Sequence, residues 1–186
     1  MCGFFVTSRK LNNTELSLIH KRLQTRGPDD VKIRLNDKGS FVFSRLACTG
    51  RQTSSMQPLD DAIYLKKDFF VFNGEIYNYR SLNKKFKFKK DDKFLCDTEI
   101  LDGLFKKFGF HKSIDKLNGG FSIGYIDKEF DFCYLTKDIY GQKSLYFSYD
   151  GNSWYFGSDP YSVAFCSKRD LSDQTLKNYL MSNEDF

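Results

Sequence analysis

At 186 residues, with twenty Phe and eleven Tyr among its apolar side chains, the chain is the size of one domain and can bury a substantial core. No apolar run approaches the roughly 18 residues of a membrane span and the N-terminus lacks the apolar stretch of a secretory signal, so a soluble, cytoplasmic protein with no membrane partner is expected. The five cysteines are odd in number and widely spaced without a Cys-x-x-Cys pair, and only His20 and His111 could join them, which indicates neither a metal site nor a disulfide framework.

In chain order, residues 4–7 form a short apolar run suited to a buried strand. Leu16, Ile19, His20 and Leu23 fall at helical spacing, and Gly27-Pro28 stops that helix. Val31, Ile33 and Leu35 alternate, residues 41–46 are apolar at every second position, and residues 63–72 read as two β segments folded about Lys66-Lys67-Asp68, which together predict a meandering antiparallel sheet. A second helix is expected from Asp97 through Ile100, Leu101, Leu104, Phe105 and Phe108 to Gly109, with Asp97 placed to cap it. Strands return at 120–127, 131–136, 144–149 and 154–158, and Pro160 opens a short helix at its first turn. Strand runs alternating with paired helices predict an α+β fold of two stacked antiparallel sheets with helices outside.

The net charge of +5 draws on Lys84, Lys85, Lys87, Lys89, Lys90 and Lys93, interleaved with Phe86 and Phe88. A nucleic-acid patch is one reading of this stretch. The other, a solvated lysine face whose phenylalanines point inward, is preferred because Asp91 and Asp92 dilute the field, and no nucleic-acid partner is expected.

Cys2, directly behind Met1, carries the strongest chemical signal. Removal of one methionine would leave a cysteine with both a thiol, pKa about 8.5, and a free α-amine, pKa roughly 7.7–8.0, so that near neutral pH the amine can accept the thiol proton. Cys2 as an ordinary small residue heading a strand is the alternative. Further segments bear on the choice: Cys2-Gly3-Phe4-Phe5, Arg26-Gly27-Pro28-Asp29, Ser44-Arg45-Leu46, Asn73-Gly74-Glu75-Ile76-Tyr77-Asn78-Tyr79, Asp97-Thr98-Glu99 and Leu117-Asn118-Gly119-Gly120-Phe121. Each alone is weak, since Asn-Gly is also a common hairpin turn. In this order they resemble the glutamine-hydrolysing domain of the asparagine synthetase-type class II amidotransferases, across nearly the whole chain.

That resemblance implies the four-layer αββα sandwich of the N-terminal nucleophile hydrolases over residues 1–186, with 171–186 beginning a transition toward a synthetase domain. It implies hydrolysis of L-glutamine to glutamate and ammonia, with Cys2 as nucleophile. Asn73, through its side-chain amide, and Gly74, through its backbone N–H, would form the oxyanion hole. Arg45 would pair with the substrate carboxylate, the backbone at Leu46, Ala47, Cys48 and Thr49 would line the substrate, and Glu75 with Asp97 would receive its ammonium. Arg26, Pro28 and Asp29 would shape the loop beside Cys2. No cofactor is implied for this domain, ATP and Mg²⁺ belonging to a synthetase domain or subunit that takes up the ammonia. Two departures stand out: Ser44 replaces the family's usual histidine, and Lys137-Asp138-Ile139-Tyr140-Gly141-Gln142-Lys143-Ser144-Leu145-Tyr146 lacks two arginines and a proline common there, which puts docking on such a partner in doubt. Other readings are a stand-alone amidohydrolase of the same fold, against which the Arg45 and Asp97 clamp argues, and a catalytically silent regulatory module.

Overall fold

The computed structural model of the chain describes residues 2–47, 56–59, 67–90 and 95–169. Thr49, Cys48, the first of the two β segments expected in 63–72 and the transition at 171–186 lie outside the described residues. Two antiparallel sheets stack face to face. The larger has the order β2(Asp30–Leu35), β3(Ser40–Arg45), β1(Gly3–Thr7), β8(Trp154–Gly157), β7(Tyr146–Tyr149). The smaller has the order β4(Phe69–Ile76), β5(Gly119–Ile126), β6(Cys133–Lys137).

Strand alternation divides the side chains between layers. Phe4 and Val6 of β1, Phe41 and Phe43 of β3, Phe69 and Val71 of β4, Ile126 and Phe156 meet between the sheets. Phe5 and Val42 point the other way, onto Ile19 and Leu23 of α1(Asn13–Gln24) and Val163 of α4(Pro160–Ser167). Phe70, Phe72 and Ile123 leave the smaller sheet on its outer face, against Leu82 of α2(Tyr79–Phe86) and Ile100, Leu101 and Leu104 of α3(Asp97–Ile114). The four layers are therefore helices, five strands, three strands and helices, the αββα sandwich that the motifs imply.

Local chemistry accounts for the helix ends. In α1 the Asn12 side chain accepts from Glu15 N–H at 2.9 Å while Glu15 accepts from Asn12 N–H at 3.0 Å, a reciprocal capping box. In α4, Pro160 takes the first helical position and Asp159 accepts from Ser162 N–H at 2.8 Å. Arg22 of α1 grips the same Asp159 through two bonds of 2.7 and 2.9 Å, which fixes the two outer helices to each other.

Three expectations need correction. The first strands are not a meander: β1 lies between β3 and β8, and β4 belongs to the other sheet. Sequential order could not reveal this, because the partners of β1 are set by contacts across the whole chain. Helix α2 is an element beyond the expected ones, with Tyr79, Leu82 and Phe86 at helical spacing on one face. Helix α3 is interrupted at Gly109 (φ 73°, ψ 174°) as expected, yet resumes to Ile114 and carries Phe110 onto Tyr125 and Tyr134. Phe86 and Phe88 do turn inward on each other and on Phe108 while the neighbouring lysines stay exposed. Among the described residues no helix is long and apolar enough to cross a membrane.

Candidate active site

Three strands supply the candidate site, β1 and β3 of the larger sheet and β4 of the smaller sheet facing them. Cys2 shares the parity of Phe4 and Val6 and packs against the inter-sheet core. Asn73 shares the parity of Phe69 and Val71, so it projects into the same layer from the opposite sheet. Arg45 continues the row of Phe41 and Phe43, and the register that pairs Gly3 with Ser44 sets Arg45 across from Cys2. Cys2 and Arg45 are thus cross-strand neighbours, and Asn73 faces the same inter-sheet layer from the other sheet.

The Cys2 thiol lies on the backbone of Leu46. Leu46 N–H donates to Sγ at 3.4 Å, and Sγ–H donates to Leu46 C=O at 3.6 Å. The two contacts hold the sulfur against the Leu46 peptide group. The turn after Arg45 is held in place by the Arg26-Gly27-Pro28-Asp29 segment: Asp29 accepts from Ala47 N–H at 2.7 Å, and Asp29 N–H donates to Arg45 C=O at 3.1 Å. A Cβ on Gly27 would stand 2.4 Å from the Ser44 carbonyl oxygen, so only glycine lets this loop lie so close to β3. Arg45 itself is 1% exposed and donates to Asp30, its cross-strand neighbour, at 3.0 Å. Asp30 was absent from the residues singled out by motif; its position opposite Arg45 in the ladder is visible only once the register is known.

Asn73 is 1% exposed, and neither its carbonyl oxygen nor its amide nitrogen has a hydrogen-bond partner among the described residues. A buried amide left unpaired costs about 1–3 kcal/mol, so its retention calls for a ligand or a role. Directly opposite in the ladder sits Ser122, whose buried hydroxyl is likewise without a partner there. Gly74 adopts φ +138°, and a Cβ at that position would stand 2.1 Å from the Gly120 carbonyl oxygen, so the backbone conformation admits glycine alone.

On the side of β4 away from β5, two side chains fasten the backbone. Gln57 bonds both polar groups of Phe72, and Asp97 Oδ2 accepts from Ile76 N–H at 3.1 Å. Gly74 lies two residues from each, so by the alternation of the ladder its N–H belongs to the same edge. Asp97 is 7% exposed; burial, with the adjacent Glu75 carboxylate adding to it, raises its pKa above the ordinary carboxylate range against the pull of the Ile76 and Thr98 N–H groups. It is not the cap of α3, since Cys96 holds that position and Asp97 lies one residue inside. Its side chain instead ties the helix start to the strand that carries Asn73. Glu75 is exposed beside it.

The Asn73–Tyr79 and Leu117–Phe121 motifs brace each other. Tyr77 N–H donates to Asn118 C=O at 2.7 Å, and Asn78 bonds both Asn118 N–H and Lys116 C=O. Asp138 gathers the N–H groups of Phe121, Tyr140, Gln142 and Lys143, which leaves Ile139 and Tyr140 97% and 86% exposed on the segment that departs from the family pattern. Ser44 is fully buried on the helix side of β3, away from Arg45. A groove of about 1020 Å³ between α1 and α4 includes none of Cys2, Arg45, Asn73, Gly74, Glu75 or Asp97 in its lining. Among the described residues no three His, Cys, Asp or Glu side chains cluster as a metal site, and Cys2, Cys96, Cys133 and Cys166 are outside any disulfide.

Residues 1–185 match the family described as "Glutamine amidotransferase domain". A probable glutamine-hydrolysing asparagine synthetase of Acanthamoeba polyphaga mimivirus is 32% identical over 69% of this chain and 23% of the relative. A putative asparagine synthetase of Methanocaldococcus jannaschii is 28% identical over 86% of this chain and 34% of its own length. The chain thus spans about a quarter to a third of these relatives. Among solved structures, glutamine phosphoribosylpyrophosphate amidotransferase of B. subtilis superposes with a TM-score of 0.63 at 16% identity, over 87% of this chain and 42% of that one. The allosteric regulatory enzyme of purine biosynthesis gives 0.54 at 13% identity, over 89% and 37%. The chain belongs to the glutamine amidotransferase domain family, as a class II domain of the asparagine synthetase type with the N-terminal nucleophile fold.

Proposed function

We propose that this domain hydrolyses the side-chain amide of L-glutamine and delivers ammonia to an acceptor on a synthetase domain or subunit. Loss of Met1 frees the Cys2 α-amine, which takes the thiol proton as sulfur attacks the amide carbon. The C–S bond forms and the carbonyl π pair moves to oxygen. Asn73 Nδ2–H and Gly74 N–H receive the oxyanion, where each such donor is worth roughly 2.7–4 kcal/mol. Collapse of the adduct expels the amide nitrogen, which takes the proton from the Cys2 amine and leaves as ammonia; water then cleaves the thioester to glutamate.

Arg45 offers the substrate carboxylate a planar fork, and Glu75 with Asp97 offers its ammonium two acceptors. Leu46, Ala47, Cys48 and Thr49 line the bound amino acid. No cofactor enters this step, ATP and Mg²⁺ being the business of the synthetase partner. We place the reaction in the cytoplasm, where a thiol nucleophile stays reduced. The observation that carries the reading is the buried Asn73 amide, without a hydrogen-bond partner among the described residues, in the layer that also receives Cys2.

The test is glutamate release from glutamine by the Met1-free protein, with and without ATP and with aspartate as a trial acceptor. ATP-independent glutamate and ammonia, with no asparagine from these 186 residues alone, is the expected result. ATP-dependent asparagine formation by this chain, or no glutamate even with a synthetase portion supplied, would overturn it.

A further inference from the structure

We propose that Gln57 is a positioning residue for the oxyanion donors, its side-chain amide standing in for a neighbouring strand at the one place where a real strand would obstruct the site. The inference rests on Asn73 and Gly74 being those donors. Gln57 is 2% exposed and lies outside the six segments that carry the resemblance. Its Nε2–H donates to Phe72 C=O at 3.0 Å, and its Oε1 accepts from Phe72 N–H at 2.6 Å. A primary amide is here doing what the peptide group of an antiparallel neighbour does, exchanging both bonds with one residue.

An amide and a strand differ in how far they reach along β4. A continuing strand would go on to pair the next outward-facing residue, Gly74, and would consume the N–H assigned to the oxyanion. A single amide ends after one pair. The second fastening comes from Asp97 on Ile76, so Asn73, Gly74 and Glu75 are bracketed at both ends, and the proposal assigns the middle N–H to the ligand. Phe72 is adjacent to Asn73, and its own side chain is locked in the outer core against α3. Rotation or retreat of β4 at Phe72 would move both oxyanion donors together. A misplacement of about 1 Å at a reacting centre can cost on the order of 100-fold in rate.

Two variants test the geometry. Gln57→Asn draws the amide back by one methylene, about 1.5 Å; Gln57→Glu keeps the length and the acceptor but loses the Nε2–H donor. Each is measured in the 186-residue chain, per folded molecule, beside Asn73→Ala and the Gln57→Asn, Asn73→Ala double variant. The probes are glutamine turnover, glutamate affinity and affinity for the γ-aldehyde of glutamate. The Cys2 thiol adds across the aldehyde C=O: the C–S bond forms, the π pair goes to oxygen, and the thiol proton passes to that oxygen, giving a tetrahedral adduct in the oxyanion position.

Expected is a fall in kcat of about tenfold or more with KM within about twofold, a parallel loss of aldehyde affinity, unchanged glutamate affinity, and in the double variant a further loss smaller than the product of the two single losses, since only the Gly74 donor is then left to be displaced. A Gln57 residue with a merely structural role would lower the melting temperature but leave kcat per folded molecule and the aldehyde-to-glutamate ratio unmoved, and that result overturns the proposal. Independent, multiplying losses in the double variant would overturn it too. If Asn73→Ala leaves both kcat and aldehyde affinity intact, the oxyanion reading itself fails and the role of Gln57 falls with it.

Discussion

Replacing Asn73 with alanine should separate activity from stability with opposite signs. The side chain is buried to 1% exposure and its two polar atoms make no hydrogen bond among the described residues, so the folded protein already carries their desolvation, about 1–3 kcal/mol. Truncation relieves that cost and forfeits packing of the lost atoms, worth about 0.8 kcal/mol per methylene-sized group. The balance lies between no change and a gain of about 2 kcal/mol. Since about 1 kcal/mol moves Tm by roughly 2–4 °C in a domain of this size, the melting temperature should hold or rise by a few degrees. Turnover should fall by about 10²–10³, because one oxyanion donor contributes roughly 2.7–4 kcal/mol to the transition state. Initial rates of glutamate release against glutamine concentration, with calorimetric melts of the same samples, measure both. A Tm lowered by more than about 4 °C, with kcat tracking the folded fraction, would show that Asn73 is structural and that the reasoning from its unpaired amide is wrong.

Gly74→Ala should destabilise the fold by about 2–5 kcal/mol in denaturant titration, combining a strained positive φ with a Cβ 2.1 Å from the Gly120 carbonyl oxygen. Arg45→Lys should raise the glutamine KM about 10–100-fold with a smaller change in kcat, since lysine cannot reproduce two charge-assisted bonds to one carboxylate; a kcat loss without a KM change would remove Arg45 from substrate binding. Asp97→Asn keeps an acceptor for Ile76 N–H but removes the buried charge. Because burial and Glu75 raise the folded-state pKa of Asp97 above its unfolded value, the wild type loses stability as pH rises from the unfolded pKa through the folded one, and the variant should lack that limb. The same variant should bind glutamine more weakly at neutral pH, and wild-type affinity should decline as pH falls through the raised pKa; a pH-independent KM would contradict the ammonium role.

Much of the architecture is legible locally. The apolar residues 41–43 report a strand buried on both faces, and the spacing of Ile19 and Leu23 reports the buried face of a helix. The division of strands between sheets is not local: β1 pairs with residues 40–44 and 155–157, and nothing near residue 3 encodes either partner. The site follows the same rule. The candidates Cys2, Arg45, Asn73, Gly74, Glu75 and Asp97 are read from motifs, whereas Asp30 and Gln57 bond partners 15 residues away in sequence, contacts that only the folded chain shows. Asp97 shows the limit of reading by position, because a carboxylate at a helix start looks like a cap until its bond to Ile76 is seen.

The central claim is that Cys2 is the nucleophile, and reaction with a glutamine analogue bearing an electrophilic side-chain carbonyl tests it most directly. Intact mass should show a protein beginning at Cys2, and peptide mapping should place one label there, sparing Cys48, Cys96, Cys133 and Cys166. Burial raises the Cys133 and Cys166 thiols to about 11 and about 12, which leaves them poorly reactive at neutral pH. Labelling that persists in Cys2→Ala, or full activity from protein in which every molecule retains Met1, would contradict the account.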